Sequence, residues 1–104
     1  MTTVDQLVTE IKLSTDYQIN KRFLKEKIAA DLHLAYNGGL FLLSPSLLAF
    51  VATWPDSDLF LEDVYGNPIP VQRDEFLTPA REQYYSVMNS WHTQHEELRR
   101  IRKI

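Results

Sequence analysis

The chain has 104 residues, enough for one hydrophobic core and too few for two, so residues 1–104 are read as a single domain. It contains no cysteine, which excludes a disulfide framework, thiolate catalysis and cysteine-ligated zinc. Its formal charge of −3 disfavours nucleic acid as a partner, because phosphate binding needs concentrated positive charge.

Thr3-Val-Asp-Gln6 is a capping box, with hydroxyl and amide side chains placed to satisfy free backbone N–H groups at a helix start. Val4, Leu7, Val8 and Ile11 follow on one face, which predicts a short amphipathic helix ending near Leu13. Asp5 stands where an export signal would carry basic residues, so an intracellular protein that is not secreted is expected. Ser14, Thr15 and Asp16 read as a polar break. Phe23, Leu24, Ile28, Leu32 and Ala35 then keep helical spacing and predict a second helix over about 20–36, or from as early as Asp16, with Asn37-Gly38-Gly39 as its stop.

Leu40–Leu43 is compatible with a buried strand or a packed loop. Ser44 as N-cap and Pro45 at the first helical position open a third helix, apolar nearly all round, which Pro55 ends. The apolar window containing it is interrupted by Ser44-Pro45-Ser46 and too short to span a bilayer, so no membrane association is expected. Leu59–Tyr65, a Gly66-Asn67 turn and Ile69–Gln72 read as a β-hairpin. Pro68 and Pro70 lack N–H donors and confine the second arm to an edge, leaving the first arm to pack on the third helix or to pair with Leu40–Leu43.

A long helix closes the chain, starting with Thr78 as N-cap and Pro79 behind it, or at Asp74 with a kink at Pro79. The fold class expected is therefore α+β and mainly helical: about four helices, one small hairpin and a long C-terminal helix. The core is expected to gather Leu24, Ile28, Leu32, Leu47, Phe50, Val51, Trp54, Tyr84, Val87 and Trp91.

Steps of three and four along the last helix pick out Leu77, Ala80, Tyr84, Val87, Trp91, Gln94, Leu98 and Ile101, a spacing that serves a coiled-coil seam or a core-facing stripe. Tyr84, Val87, Trp91, Leu98 and Ile101 are the candidate interaction surface, for a protein partner or for a homodimer through this helix. Arg99, Arg100, Arg102 and Lys103 are the candidate phosphate contacts, although acids at helical spacing (Glu96, Glu97) and the helix dipole also account for them. His92 and His95 share a helix face, but zinc needs further ligands and His33 is far away in the chain, so no metal and no cofactor is expected. No phosphate loop, nucleophile motif or acid/base pair is present, which argues against an enzyme. Residues 20–50 do not make a DNA-binding helix-turn-helix, because the joining segment is too long and the following helix carries no base-reading side chain.

Asp63-Val-Tyr-Gly-Asn-Pro68 running into "REQYYSVMNSWHTQHEELRRIRKI" resembles small proteins of large tailed phages, especially those of marine cyanobacteria, and is similar in style to tail-fibre assembly proteins. The likeness covers residues 59–104. It implies a virion component or assembly factor, located in a host cytoplasm or a virion. The function expected is thus non-catalytic protein–protein interaction or assembly, with a small regulator that binds nucleic acid through the basic C-terminal helix as the alternative.

Overall fold

The computed structural model describes residues 3–102, with side chains through Arg100. Three helices and four strands follow one another: α1 (Val4–Asp31), β1 (His33–Tyr36), β2 (Gly39–Leu42), α2 (Pro45–Thr53), β3 (Asp58–Glu62), β4 (Pro68–Gln72) and α3 (Arg73–Arg102). The α+β, mainly helical class and the long last helix are as expected, but there are three helices rather than four and two hairpins rather than one.

The helix count falls because the segments expected at 3–13 and 20–36 are one helix. The Thr3 capping box forms as expected, with Thr3 N donating to Gln6 Oε1 and Gln6 N to Thr3 Oγ1. The polar stretch at 14–16 does not break the helix; within it Thr15 turns its hydroxyl back to the Ile11 carbonyl at 2.9 Å, as Thr9 does to Asp5. Leu32 caps the far end, and Gln83 Nε2 donates to the carbonyls of Asp31 and His33 just there, at 2.9 and 2.8 Å.

Residues 33–36, expected as helix, are a strand. Asn37 and Gly38 both have positive φ, 49° and 83°, and form the two-residue turn that joins β1 to β2. A tight hairpin turn needs φ > 0 at both central positions, and Asn-Gly supplies it at least cost. The same dipeptide can stop a helix, which is why the two readings compete on sequence alone.

The second hairpin is present with a shorter first arm, since β3 stops at Glu62. Prolines 68 and 70 cannot donate, so the bonded pairs of this ladder are Leu59–Val71 and Leu61–Ile69. Leu59, Leu61, Ile69 and Val71 therefore share the buried face, with Phe60 and Pro70 on the other. The two hairpins are separate two-stranded sheets. They meet tip to flank: Leu40 O accepts from Val64 N at 2.9 Å, and Asn37 Nδ2 donates to Pro70 O at 2.9 Å.

This contact needs a glycine at 39. A Cβ there would lie 2.6 Å from Ile69 Cγ1 and 3.2 Å from Phe41 Cε2, both in buried side chains. Gly39→Ala is expected to lower stability by about 1–3 kcal/mol through overpacking, read as a lower urea midpoint at unchanged slope. A midpoint equal to wild type would show that the hairpins slide apart freely.

The α3 helix begins at Arg73, five residues before the Thr78 cap and one before Asp74, the other start expected. Gln72 Oε1 accepts from Glu75 N, and Arg73 Nη1 donates to Trp54 O at 3.0 Å, tying the helix start to the end of α2. Pro79 lies inside the helix. The backbone bond it removes is tolerated where Phe76, Leu77 and Ala80 are all buried around it.

The main core sits in the head formed by the hairpins, α2 and the start of α3: Phe41, Leu43, Val51, Leu59, Leu61, Ile69, Val71, Phe76, Leu77 and Ala80. Of the expected core, Leu24, Ile28 and Val51 are buried. Leu32, Leu47, Trp54 and Tyr84 pack half-buried against the main cluster, and Val87 and Trp91 are half-buried on α3. Phe50 is instead an exposed side chain leaning on Trp54 at 5.5 Å, because α2 is one layer on the head and has an outer side. Beyond the head, α1 and α3 run antiparallel as an arm, which draws the molecule out to 66 × 23 × 17 Å.

Candidate interaction surface

At 3.6 residues per turn, positions four apart form a row along a helix, and neighbouring rows are offset by about a quarter of a turn. One row of α1, Leu24, Ile28 and Leu32, is covered in the fold, with Leu24 and Ile28 buried. The next row, Leu7, Ile11, Thr15, Ile19 and Phe23, points elsewhere and is exposed throughout. Val4, Leu7, Val8 and Ile11, expected to be the buried face of a short helix, are 76, 50, 59 and 58 % exposed. They lie where α1 has run past its neighbour: Asn20 and Leu24 line a groove with Gln94 and Leu98, and four more residues of α3, about 6 Å, end its cover. The first three turns or so of α1 thus stand apart with an apolar side in water. An isolated helix of about 12 residues is marginal without such cover.

The charges on α1 are segregated along its length. Asp5, Glu10 and Asp16 with Lys12 occupy the first half, whereas Lys21, Arg22, Lys25 and Lys27 with Glu26 and Asp31 occupy the second. Among the described residues the ion pairs are Arg73–Asp74 at 3.1 Å and Arg99–Glu96 at 3.7 Å, so none of the α1 charges is matched by another described one within the chain. Lys27 Nζ donates to Gln94 Oε1 across the arm at 3.3 Å, and the Arg22 guanidinium lies 5.5 Å from the Phe23 ring centroid.

The candidate surface on α3 is placed as follows. Leu77 and Ala80, at the start of the seam, are buried in the head. Tyr84, Val87, Trp91 and Leu98 are half-buried along the arm. Leu98 lines the groove of ≈ 330 Å³ with Asn20, Phe23, Leu24, Lys27, Gln94 and Glu97. Arg99 and Arg100 are exposed. The side chains of Ile101 and Arg102, and Lys103 altogether, fall outside the described residues.

A second groove, of ≈ 750 Å³, lies on the head between Tyr36, Trp54, Phe60 and Pro70. Its polar groups hold the fold together: Trp54 Nε1 donates to Asp58 O at 3.3 Å, and the Tyr36 hydroxyl accepts from Gln72 N at 3.4 Å. His33 is bound to the Ala30 carbonyl at the head of the arm, eight residues of helix separate Gln83 beside it from His92, and no cluster of three metal-ligating side chains exists among the described residues. No described helix is long and apolar enough to cross a membrane.

Asp63 is the one buried charge among the described residues. Its Oδ1 accepts from Asn67 N at 2.9 Å and Tyr65 N at 3.0 Å, and its Oδ2 from Leu40 N at 3.2 Å. The Asn67 N–H does most to hold the carboxyl below its ordinary value of 3.8; burial opposes this, and the Leu40 and Tyr65 N–H groups add to the lowering. The group shapes the β3–β4 loop and clips it to β2, which is a structural task.

No protein family model, no curated protein and no solved structure matches this chain. Function therefore rests on the molecule itself: a compact head with a long two-helix arm, apolar on an uncovered side.

Proposed function

We propose that the chain is a non-catalytic protein–protein interaction or assembly protein that works through its arm. The observation that carries this reading is the exposed row Leu7, Ile11, Ile19 and Phe23, flanked by Val4 and Val8, on a helix that otherwise projects unsupported. A contiguous apolar surface of this kind is the usual mark of a contact site. The contact surface so assigned differs from one confined to α3, because Leu77 to Trp91 face largely inward while α1 presents the open side. Leu98 belongs to both, since it lines the groove between the helices. The resemblance of residues 59–104 to small proteins of large tailed phages supports a virion component or tail-assembly factor as the setting.

The test is the variant carrying Leu7→Ser, Ile11→Ser and Phe23→Ser, compared with wild type by chemical cross-linking in the expressing cells. All three side chains are half or more exposed, so the variant should stay folded, with a Tm within a few degrees of wild type. It should lose any cross-linked complex that wild type forms. Absence of every complex from wild type, or complexes indifferent to the three changes, would end this reading.

A further inference from the structure

We infer that Asn37 is a self-modification site: its side-chain amide is lost by spontaneous deamidation through the Gly38 nitrogen, and the product unfastens the two hairpins of the head. This does not depend on the reading of the arm.

The chain has four asparagines, Asn20, Asn37, Asn67 and Asn89, and the sequence and fold together leave Asn37 open to reaction. Deamidation of this kind needs the backbone nitrogen of the next residue to reach the asparagine Cγ. Asn20 and Asn89 lie within α1 and α3, where the following N–H is spent on the carbonyl four residues back. Asn67 precedes Pro68, whose nitrogen carries no hydrogen to give up. Asn37 and Gly38 are instead the exposed two-residue turn between β1 and β2. The Gly38 N–H donates to no described residue, and nothing stands within 4 Å of the place that a Cβ would occupy on it. Its nitrogen is therefore neither engaged within the described chain nor shielded by a side chain of its own.

The step balances with water as the co-reactant. The Gly38 nitrogen bonds to Asn37 Cγ and closes a succinimide ring, the Cγ–Nδ2 bond breaks, and ammonia leaves carrying the proton that Gly38 gave up. Water then opens the ring at one carbonyl or the other, leaving aspartate or isoaspartate at this position. What restrains the reaction is the clip itself. Asn37 Nδ2 donates to Pro70 O at 2.9 Å, and the amide must turn away from that carbonyl before the ring can close. An exposed turn opens at far lower free energy than a helix or the core, so the amide is released from time to time. Once complete, the change does not reverse.

Either product loses the clip. A carboxylate has no N–H for the Pro70 carbonyl and sets oxygen against oxygen. It also stands in the groove that Asp58 and Glu75 line, adding negative charge beside two carboxylates. Isoaspartate in addition runs the main chain through its side chain, which lengthens a turn whose φ angles of 49° and 83° suit two ordinary residues. The hairpins then rest on their remaining contacts, among them Val64 N with Leu40 O and Leu40 N with Asp63 Oδ2.

Ageing the full chain in neutral and in mildly alkaline buffer tests this, with fragment-ion mass spectrometry reading the exchange of NH for O at each asparagine. Asn37 should react at least about tenfold faster than Asn20 or Asn89, the margin between an exposed turn and a helix interior. Its rate should rise with pH, because the Gly38 nitrogen attacks after losing its proton. The modified chain, separated by its added negative charge, should show a lower urea midpoint than unaged protein, while Asn37→Gln aged in parallel keeps its own. An Asn37 that outlasts or merely matches Asn20 and Asn89 would overturn the site. A modified chain with the urea midpoint of unaged protein would overturn the unfastening, leaving Asn37 a reactive residue without effect on the head.

Discussion

Replacing Phe76 by alanine is expected to cost about 3–5 kcal/mol, the range for deleting a fully buried aromatic side chain. Phe76 is completely buried and stands where the three parts of the head meet. Its ring makes edge-to-face contacts with Tyr36 at 5.4 Å and with Phe41 at 5.3 Å, so one side chain joins both strands of the first hairpin to the first turn of α3. A domain of this size is stable by about 5–15 kcal/mol in all. The loss would therefore take a fifth or more of the total, and in the marginal case would unfold the head. Urea denaturation checks it. A loss below about 1 kcal/mol would mean that the head collapses around the gap and that the packing described for it is loose.

Acidification should loosen the β3–β4 loop through Asp63. The Asp63 carboxylate has its pKa lowered in the folded chain by the N–H groups of Asn67, Leu40 and Tyr65. A group depressed on folding contributes stability that is complete above its unfolded value, near 3.8, and that disappears as pH falls through the lower folded value. Above that window the contribution is constant. Asp63→Asn keeps the shape but replaces an ionised acceptor by a neutral amide. It should lower Tm at pH 7 and flatten the fall of Tm with pH below about 4. Parallel Tm curves for wild type and variant from about pH 2 to 7 would show that another carboxylate governs acid stability. Because Asp63 also clips the loop to Leu40, the variant should loosen exchange protection of the Leu40 amide, which a purely electrostatic effect would leave alone.

Local chemistry written within a few residues was legible in the sequence. The capping box of Thr3 and Gln6 and the Ser44–Pro45 helix start lie where spacing and side-chain type put them, whereas the turn expected at Gly66-Asn67 is a longer connection over 63–67, in which Gly66 N donates to Asp63 O. Where one local signal serves two structures, the sequence was ambiguous. Asn37-Gly38 suits a helix stop as well as a hairpin turn, and four-residue strands are too short for alternation to separate the two. The Thr15 hydroxyl in the polar stretch of α1 bonds back to the Ile11 carbonyl only once the helix exists. The main core was legible only in part because its densest contacts, Phe41 with Phe76 and Gly39 with Ile69, join residues about thirty or more apart. The open row on α1 left a trace that could have been followed. Phe23 ends one apolar row and Leu24 begins another a quarter turn away, and a single neighbouring helix cannot cover both.

The two prolines of β4 give the head a blind edge. With Pro68 and Pro70 paired opposite Glu62 and Phe60, their nitrogens face away from β3 and carry no hydrogen to offer a further strand. The Pro70 carbonyl on that border is already taken by Asn37, and the next free amide, Gln72, by the Tyr36 hydroxyl. A passing chain finds no template there, so copies of this protein brought close together do not zip into a continuous sheet from that side. Crowding the heads is in that respect safe, a property useful to any molecule that works at high local concentration.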